Sequence, residues 1–139
     1  MSRLGLLEDN DTIARLTATM LTYAGHDVTI YPHPSDCLEA LFLTNAYQNN
    51  PSSLPTLTRI TLPVELLILD LYLPEINGLH ILELLRSQPH TRSLPLIFFT
   101  AATNPIIQQA FQLAPNASLV EKPFKMDQLV SAVISALDK

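Results

Sequence analysis

A small set of polar side chains stands at the ends of apolar runs. Glu8 and Asp9 follow RLGLL (3–7), and Asp70 interrupts VELLILDLY (64–72). Thr100 closes LPLIFFTA (94–101), and Lys122 sits in ASLVEKPF (117–124). An aspartate at the end of a core strand is costly unless a bound group or nearby charge compensates it. Taken singly, each residue has an ordinary structural explanation. Glu8 and Asp9 could open a helix, where acids favour the dipole. Asp70 could cap a turn, Thr100 could merely end a strand, and Lys122 could be solvated. Their joint placement at strand ends argues for a common site.

If the runs are parallel strands, these ends share one edge. Two carboxylates about 4 Å apart repel by roughly 4 kcal/mol at an effective dielectric near 20. A divalent cation with oxygen ligands removes that penalty, and Mg²⁺ needs only a few carboxylates because it keeps several waters. A carboxylate can also act as a nucleophile and form an aspartyl phosphate. The equatorial oxygens of a transferring phosphoryl group need positive charge and hydrogen-bond donors. Mg²⁺, Lys122 and the Thr100 hydroxyl would supply them together.

The elements that must position these groups alternate. After the first run, Ile13, Leu16, Met20, Leu21 and Ala24 recur at helical spacing, and Gly25 is a stop signal. DVTIYP (27–32) reads as a strand and HPSDCLEALFLTNAYQ (33–48) as a helix with Pro34 or Ser35 near its start. Helices are predicted over NGLHILELLRSQ (77–88) and NPIIQQAFQLA (104–114), with Asn104 and Pro105 in cap and first-turn positions. Met126, Leu129, Val130, Val133, Ile134 and Leu137 predict a last helix. Five strands alternating with five helices, apolar on both faces, imply a doubly wound α/β domain with a parallel sheet. Ligands of such sheets sit beyond the carboxyl ends of the strands.

Composition bounds the rest. A chain of 139 residues with 47% apolar and 15% charged residues fits one globular domain spanning 1–139. The net charge of −5 and the lack of a basic stripe exclude sequence-independent nucleic-acid binding. No apolar run reaches membrane-spanning length, and the N-terminus has no signal-peptide pattern. The single cysteine, Cys37, excludes a disulfide framework and a zinc cluster, and fits a reducing cytoplasm. It reads as a core residue with no basic partner nearby. His26, His33, His80 and His90 are scattered and read as surface or turn residues. The segment 49–63, with Pro51, Pro55 and Pro63, is long for a helix-to-strand connection. It reads either as a surface excursion or as a partner-binding insert.

The acidic pair in LLEDN, then ILDLYLPEINGL, IFFTAAT and EKPF, in this order and spacing, resembles the receiver domain of two-component response regulators over nearly the whole chain. The resemblance implies a flavodoxin-like (βα)5 fold with strand order 2-1-3-4-5. It implies that Asp70 accepts a phosphoryl group from a histidine kinase or phosphotransfer protein. Glu8 and Asp9 would hold Mg²⁺ beside Asp70, Asp9 the more directly, and the Tyr72 backbone carbonyl would complete the protein ligands. Thr100 would hydrogen-bond a phosphoryl oxygen. Lys122 would pair first with Asp70 and then with the phosphate, and the Lys122–Pro123 bond would be cis. Such a domain is a switch with at most weak self-phosphorylating and self-dephosphorylating activity, acting on an output domain or a downstream protein. This chain departs from the pattern at Leu119, where the family carries an aromatic three residues before the lysine. The face that carries dimer salt bridges in many members is poor in charge here, although a homodimer remains compatible.

Other classes fit less well. An aspartyl-nucleophile phosphohydrolase needs a second acid where this chain has Tyr72. A flavin-binding relative needs a phosphate loop where this chain has the acidic EDNDT. A degenerate receiver that binds partners without phosphorylation keeps room only through Leu119.

Overall fold

A computed structural model gives the fold and describes residues 2–43, 62–71, 78–101, 104–122 and 124–138. Five parallel strands form one sheet: β1 (Arg3–Leu7), β2 (Asp27–Tyr31), β3 (Leu66–Leu69), β4 (Leu96–Thr100) and β5 (Ser118–Glu121). Their order is β2-β1-β3-β4-β5, the flavodoxin-like order that the family resemblance implied for a doubly wound sheet. The three inner strands are buried almost throughout, whereas β2 alternates between exposed and half-buried residues. That contrast follows from position: helices cover both faces of the inner strands, and an edge strand keeps one side near water.

Each face has its own core. Leu4, Leu6, Leu66, Ile68, Ile97 and Phe99 point to one side. There they meet Ala14 and Leu21 of α1 (Asp11–Tyr23) and Leu129 and Val133 of the C-terminal helix, Met126–Leu137. On the other side Leu7, Leu67, Leu69 and Phe98 meet α2 (Pro34–Leu38), α3 (Gly78–Ser87) and the helix Asn104–Leu113. The strands alternate faces with period two, so adjacent apolar residues such as Phe98 and Phe99 serve opposite cores. Gly5 faces the second core, where a Cβ would lie 3.0 Å from the Tyr31 ring.

Local signals explain the helix ends. Asn10 caps α1, its Oδ1 accepting from the Ile13 amide at 3.0 Å. The helix ends before Gly25, whose φ of 98° suits a residue without Cβ. The region 33–48 begins as expected, with His33 as N-cap and Pro34 in the first turn, but α2 passes into a π-helical turn, Glu39–Leu43. Residues 44–48 lie outside the described residues. One short helix was not anticipated: α4 (Pro89–Arg92). Pro89 directly follows the preceding helix and opens a new turn. The Thr91 hydroxyl fastens that turn by donating to the Leu85 carbonyl at 2.6 Å. The helices α5 (Asn104–Leu113) and α6 (Met126–Leu137) fall where periodicity placed them. The described strands β3, β4 and β5 are each shorter than the apolar runs containing them. Of the segment 49–63, only Leu62 and Pro63 are described, with the Leu62 carbonyl 3.4 Å from Arg3 Nη1.

Two predictions follow from packing. Gly78 opens α3 against the chain just past β3: its amide donates to the Leu71 carbonyl at 3.2 Å, and a Cβ would lie 2.7 Å from Leu71 Cα and 2.9 Å from Leu71 O. Backbone cannot yield as a flexible side chain does, so Gly78→Ala should destabilise the domain by about 1–3 kcal/mol in urea unfolding. Cys37 is fully buried, and burial, with a smaller contribution from the charge of Asp36, pushes its thiol up to about 12 from an ordinary 9.0. The folded chain therefore keeps a proton that the unfolded chain releases. Stability is full below pH 9.0 and falls as pH rises toward 12, by at most about 4 kcal/mol. Unfolding free energies measured across that range should slope less in Cys37→Ala than in the native chain.

Candidate functional site

The register of the sheet assembles the site. Leu7 pairs with Leu69, so the residues that follow, Glu8 and Asp70, emerge side by side from β1 and β3. The Asp70 amide still donates to the Leu7 carbonyl at 3.1 Å, and the Glu8 amide to the Tyr31 carbonyl at 3.3 Å. Both carboxylates thus leave rigid backbone. Thr100 lies two residues past Phe98, the partner of Leu69, and is buried at the end of β4. The Lys122 amide donates to the Thr100 carbonyl at 3.1 Å, extending the β4–β5 ladder by one residue.

Carboxylate oxygens of Glu8, Asp9 and Asp70 lie within 4.8 Å of one another. Glu8 is 1% and Asp70 4% exposed, whereas Asp9 is open to solvent. The Lys122 ammonium reaches both buried acids, donating to Asp70 Oδ2 at 2.9 Å and to Glu8 Oε1. It also lies 4.9 Å from the centroid of the Phe99 ring, which meets Phe124 edge-on at 4.8 Å. The Phe99 ring therefore covers one side of the ammonium, and Phe124 holds that ring in place.

Burial pushes the Glu8 carboxyl above its ordinary value, and the charge of Asp70 adds to this. Hydrogen bonds from Lys122 and from the Asn10 amide, the latter at 3.2 Å, pull in the opposite direction without reversing it. For Lys122, burial alone would lower the ammonium, but the bonds to Glu8 and Asp70 outweigh it and hold it above its ordinary value. The ammonium is therefore a permanent positive charge at neutral pH.

The sequence-predicted residues Glu8, Asp9, Asp70 and Lys122 meet at the carboxyl edge, and Thr100 ends the strand between β3 and β5. Tyr72, whose carbonyl was expected as a ligand, lies outside the described residues, as does Pro123. The pairing of Lys122 with Glu8 was not anticipated. Neither was the double role of Asn10, which caps α1 and supports Glu8 through its amide. An asparagine just ahead of a helical run was the available signal for the cap. Three hard oxygen donors of like charge, two of them desolvated, fit a hard divalent cation. Among the described residues no helix is long and apolar enough to cross a membrane.

Comparison with known proteins agrees with this geometry. Residues 5–134 match the family model of the response regulator receiver domain. The chain is 34% identical over 135 residues to protein RcaC of Microchaete diplosiphon, covering 96% of this chain and 18% of RcaC. It is 27% identical over 137 residues to the response regulator ArlR of Staphylococcus aureus, covering 99% of this chain and 53% of ArlR. It thus spans less than a fifth of one relative and about half of the other. Among solved structures, a sensor protein from Polaromonas superposes with a TM-score of 0.75 at 25% identity, covering 99% of this chain and 96% of that one. A CheY-like receiver domain protein from Methanospirillum hungatei gives 0.75 at 18% identity, covering 99% and 94%, a likeness of fold alone. A parallel sheet in this order, an acidic cluster at its carboxyl edge and a family match over nearly the full length lead to one conclusion: the chain belongs to the response regulator receiver domains, the phosphorylation switches of two-component signalling.

Proposed function

We propose that Asp70 is the phosphoacceptor of this switch and that Mg²⁺ is the cation its acidic cluster takes. The observation that carries the reading is the convergence of Glu8, Asp9 and Asp70 around one lysine at the carboxyl edge of the sheet. The phosphodonor is a histidine kinase or phosphotransfer protein. An Asp70 oxygen attacks phosphorus, the donor's P–N bond breaks, and the imidazole nitrogen leaves with the electron pair. The product is a mixed anhydride on Asp70.

This chain's residues divide the work. The β3 backbone and Lys122 fix the Asp70 carboxylate, and Lys122 then compensates charge on the phosphoryl oxygens. Thr100 donates its hydroxyl to one of those oxygens. Glu8 and Asp9, with the Tyr72 carbonyl, would hold the cation, which would supply positive charge to the phosphoryl oxygens. As a receiver domain, the chain is a phosphoacceptor with at most weak turnover of its own. It hands its signal to an output domain or downstream protein.

Intact mass after incubation with Mg²⁺ and acetyl phosphate tests this reading. One phosphoryl adduct should form on the native chain, and none without Mg²⁺ or in Asp70→Asn. A folded, Mg²⁺-binding chain that takes no adduct would instead be a receiver that works by contact alone.

Lys122 gives an independent test. Lys122→Met leaves two buried carboxylates without their ammonium and should lower stability at neutral pH by about 1–3 kcal/mol. The same change removes a positive charge from the cation's neighbourhood. Mg²⁺ should therefore bind Lys122→Met more tightly by about tenfold in calorimetry. Weaker binding would mean that Lys122 shapes the cation site rather than opposing the cation.

A further inference from the structure

At the opposite edge of the sheet, Arg3 meets Glu65 on the β1 side, and two further arginines stand beside β4 and β5. A cavity of about 330 Å³ opens where the chain enters β4 and β5, lined by Arg86, Arg92, Ser93 and Asn116 together with Leu94, Leu96 and Ala136. None of its described lining residues is acidic. Arg86 stands in the last turn of α3, and Arg92 ends α4. Among the described residues neither forms an ion pair, whereas Arg3, Arg15 and Lys122 each hold a carboxylate.

An ordinary explanation covers the position of both charges. Cations favour helix C-termini, and Arg92 Nε donates to the Arg86 carbonyl at 3.4 Å. The charge of Arg86, in the last turn of α3, is covered likewise, but its Nε is not. Its Nε is out of contact with water and has no acceptor, and burial holds the guanidinium below its ordinary value with no counter-charge to offset it. A buried donor without a partner costs free energy comparable to a lost hydrogen bond. In a protein with a net charge of −5, two guanidiniums at one cavity with no carboxylate partner among the described residues are not general surface character.

We propose that this cavity binds a small phosphomonoester. Two guanidinium forks match the oxygens of a phosphate dianion. The Ser93 hydroxyl and the Asn116 amide add neutral donors, and Leu94, Leu96 and Ala136 offer an apolar wall for the organic part of the ligand. The volume lies at the lower end of ordinary ligand cavities, which excludes large ligands. β4 separates this cavity from Thr100 by the length of the strand, about 13 Å. Its ligand therefore does not compete with phosphoryl chemistry at Asp70.

The test uses the full ¹⁵N-labelled chain with EDTA present, titrated with inorganic phosphate and separately with phenyl phosphate. Amide shifts should saturate at Ser93, Asn116 and their neighbours and leave the Asp70 edge unmoved. Phenyl phosphate should bind more tightly than inorganic phosphate, because only it meets the apolar wall. Arg86→Gln and Arg92→Gln should each weaken binding by about tenfold, with thermal unfolding confirming that both variants are folded. Asp70→Asn should bind as the native chain does, which separates this site from the phosphoacceptor. Non-saturating shifts, shifts confined to the Asp70 edge, affinities unchanged in both arginine variants, or equal affinity for the two probes would each overturn the proposal.

Discussion

Glu8 and Asp70 are almost wholly removed from water and share one ammonium. Desolvated carboxylates a few ångströms apart are unfavourable without such compensation, and much of the fold serves to supply it. Lys122 arrives from β5, while Asp70 leaves β3 and Glu8 leaves β1. With neighbouring strands about 4.8 Å apart, the lysine must reach about 10 Å across the end of β4 to meet Asp70. The Phe99 ring occupies the intervening strand beneath that reach, 4.9 Å from the ammonium. A shorter basic residue or a different strand order would leave both acids unpaired. The sheet order and the lysine are therefore parts of one constraint.

The same strand that lets the lysine cross also separates the two cores. Phe99 belongs with α1 and α6, whereas Phe98 belongs with α3 and α5 and meets Phe111 edge-on at 5.1 Å. Leu119 pairs with Phe98 in register and is half-buried on that second side. Aromatic volume next to β5 is thus supplied by Phe98 and Phe111 from β4 and α5. This gives a steric account of how a leucine fills a position where the family carries an aromatic.

Much of this was legible in the sequence because parallel sheets write themselves plainly. Strands buried on both faces are unbroken apolar runs, so LLIL and LIFF mark the centre of the sheet, and the first polar residue after each run marks its carboxyl end. That is how Asp70 and Thr100 could be placed on one edge before any coordinates. Pairings across the sheet were less legible. Nothing in EKPF says that Lys122 bonds Glu8 as well as Asp70, because that depends on the reach of a side chain over Phe99. The short helix α4 was missed because one proline both stops a helix and starts the next turn. Strand ends were overestimated because apolar residues such as Val64 and Leu94 remain buried just outside the ladder.

Charge gives the last step. Three carboxylates and one ammonium leave the carboxyl edge two negative charges in excess, which a divalent cation balances. A phosphoryl group on Asp70 brings a modified residue of about −1.5 to −2 charge in place of a single carboxylate. The Lys122 ammonium already serves Glu8 and Asp70, so it must then divide between Glu8 and the phosphoryl oxygens. Any strengthening of its bond to phosphate weakens its bond to Glu8, whose carboxyl is already disfavoured by burial. Glu8 sits at the end of β1 and, through the Asn10 amide, at the start of α1. On the reading that Asp70 carries the phosphoryl group, the change in charge is therefore transmitted first to the N-terminal end of α1. On that same reading Lys122 carries the change, because its ammonium is common to both acids.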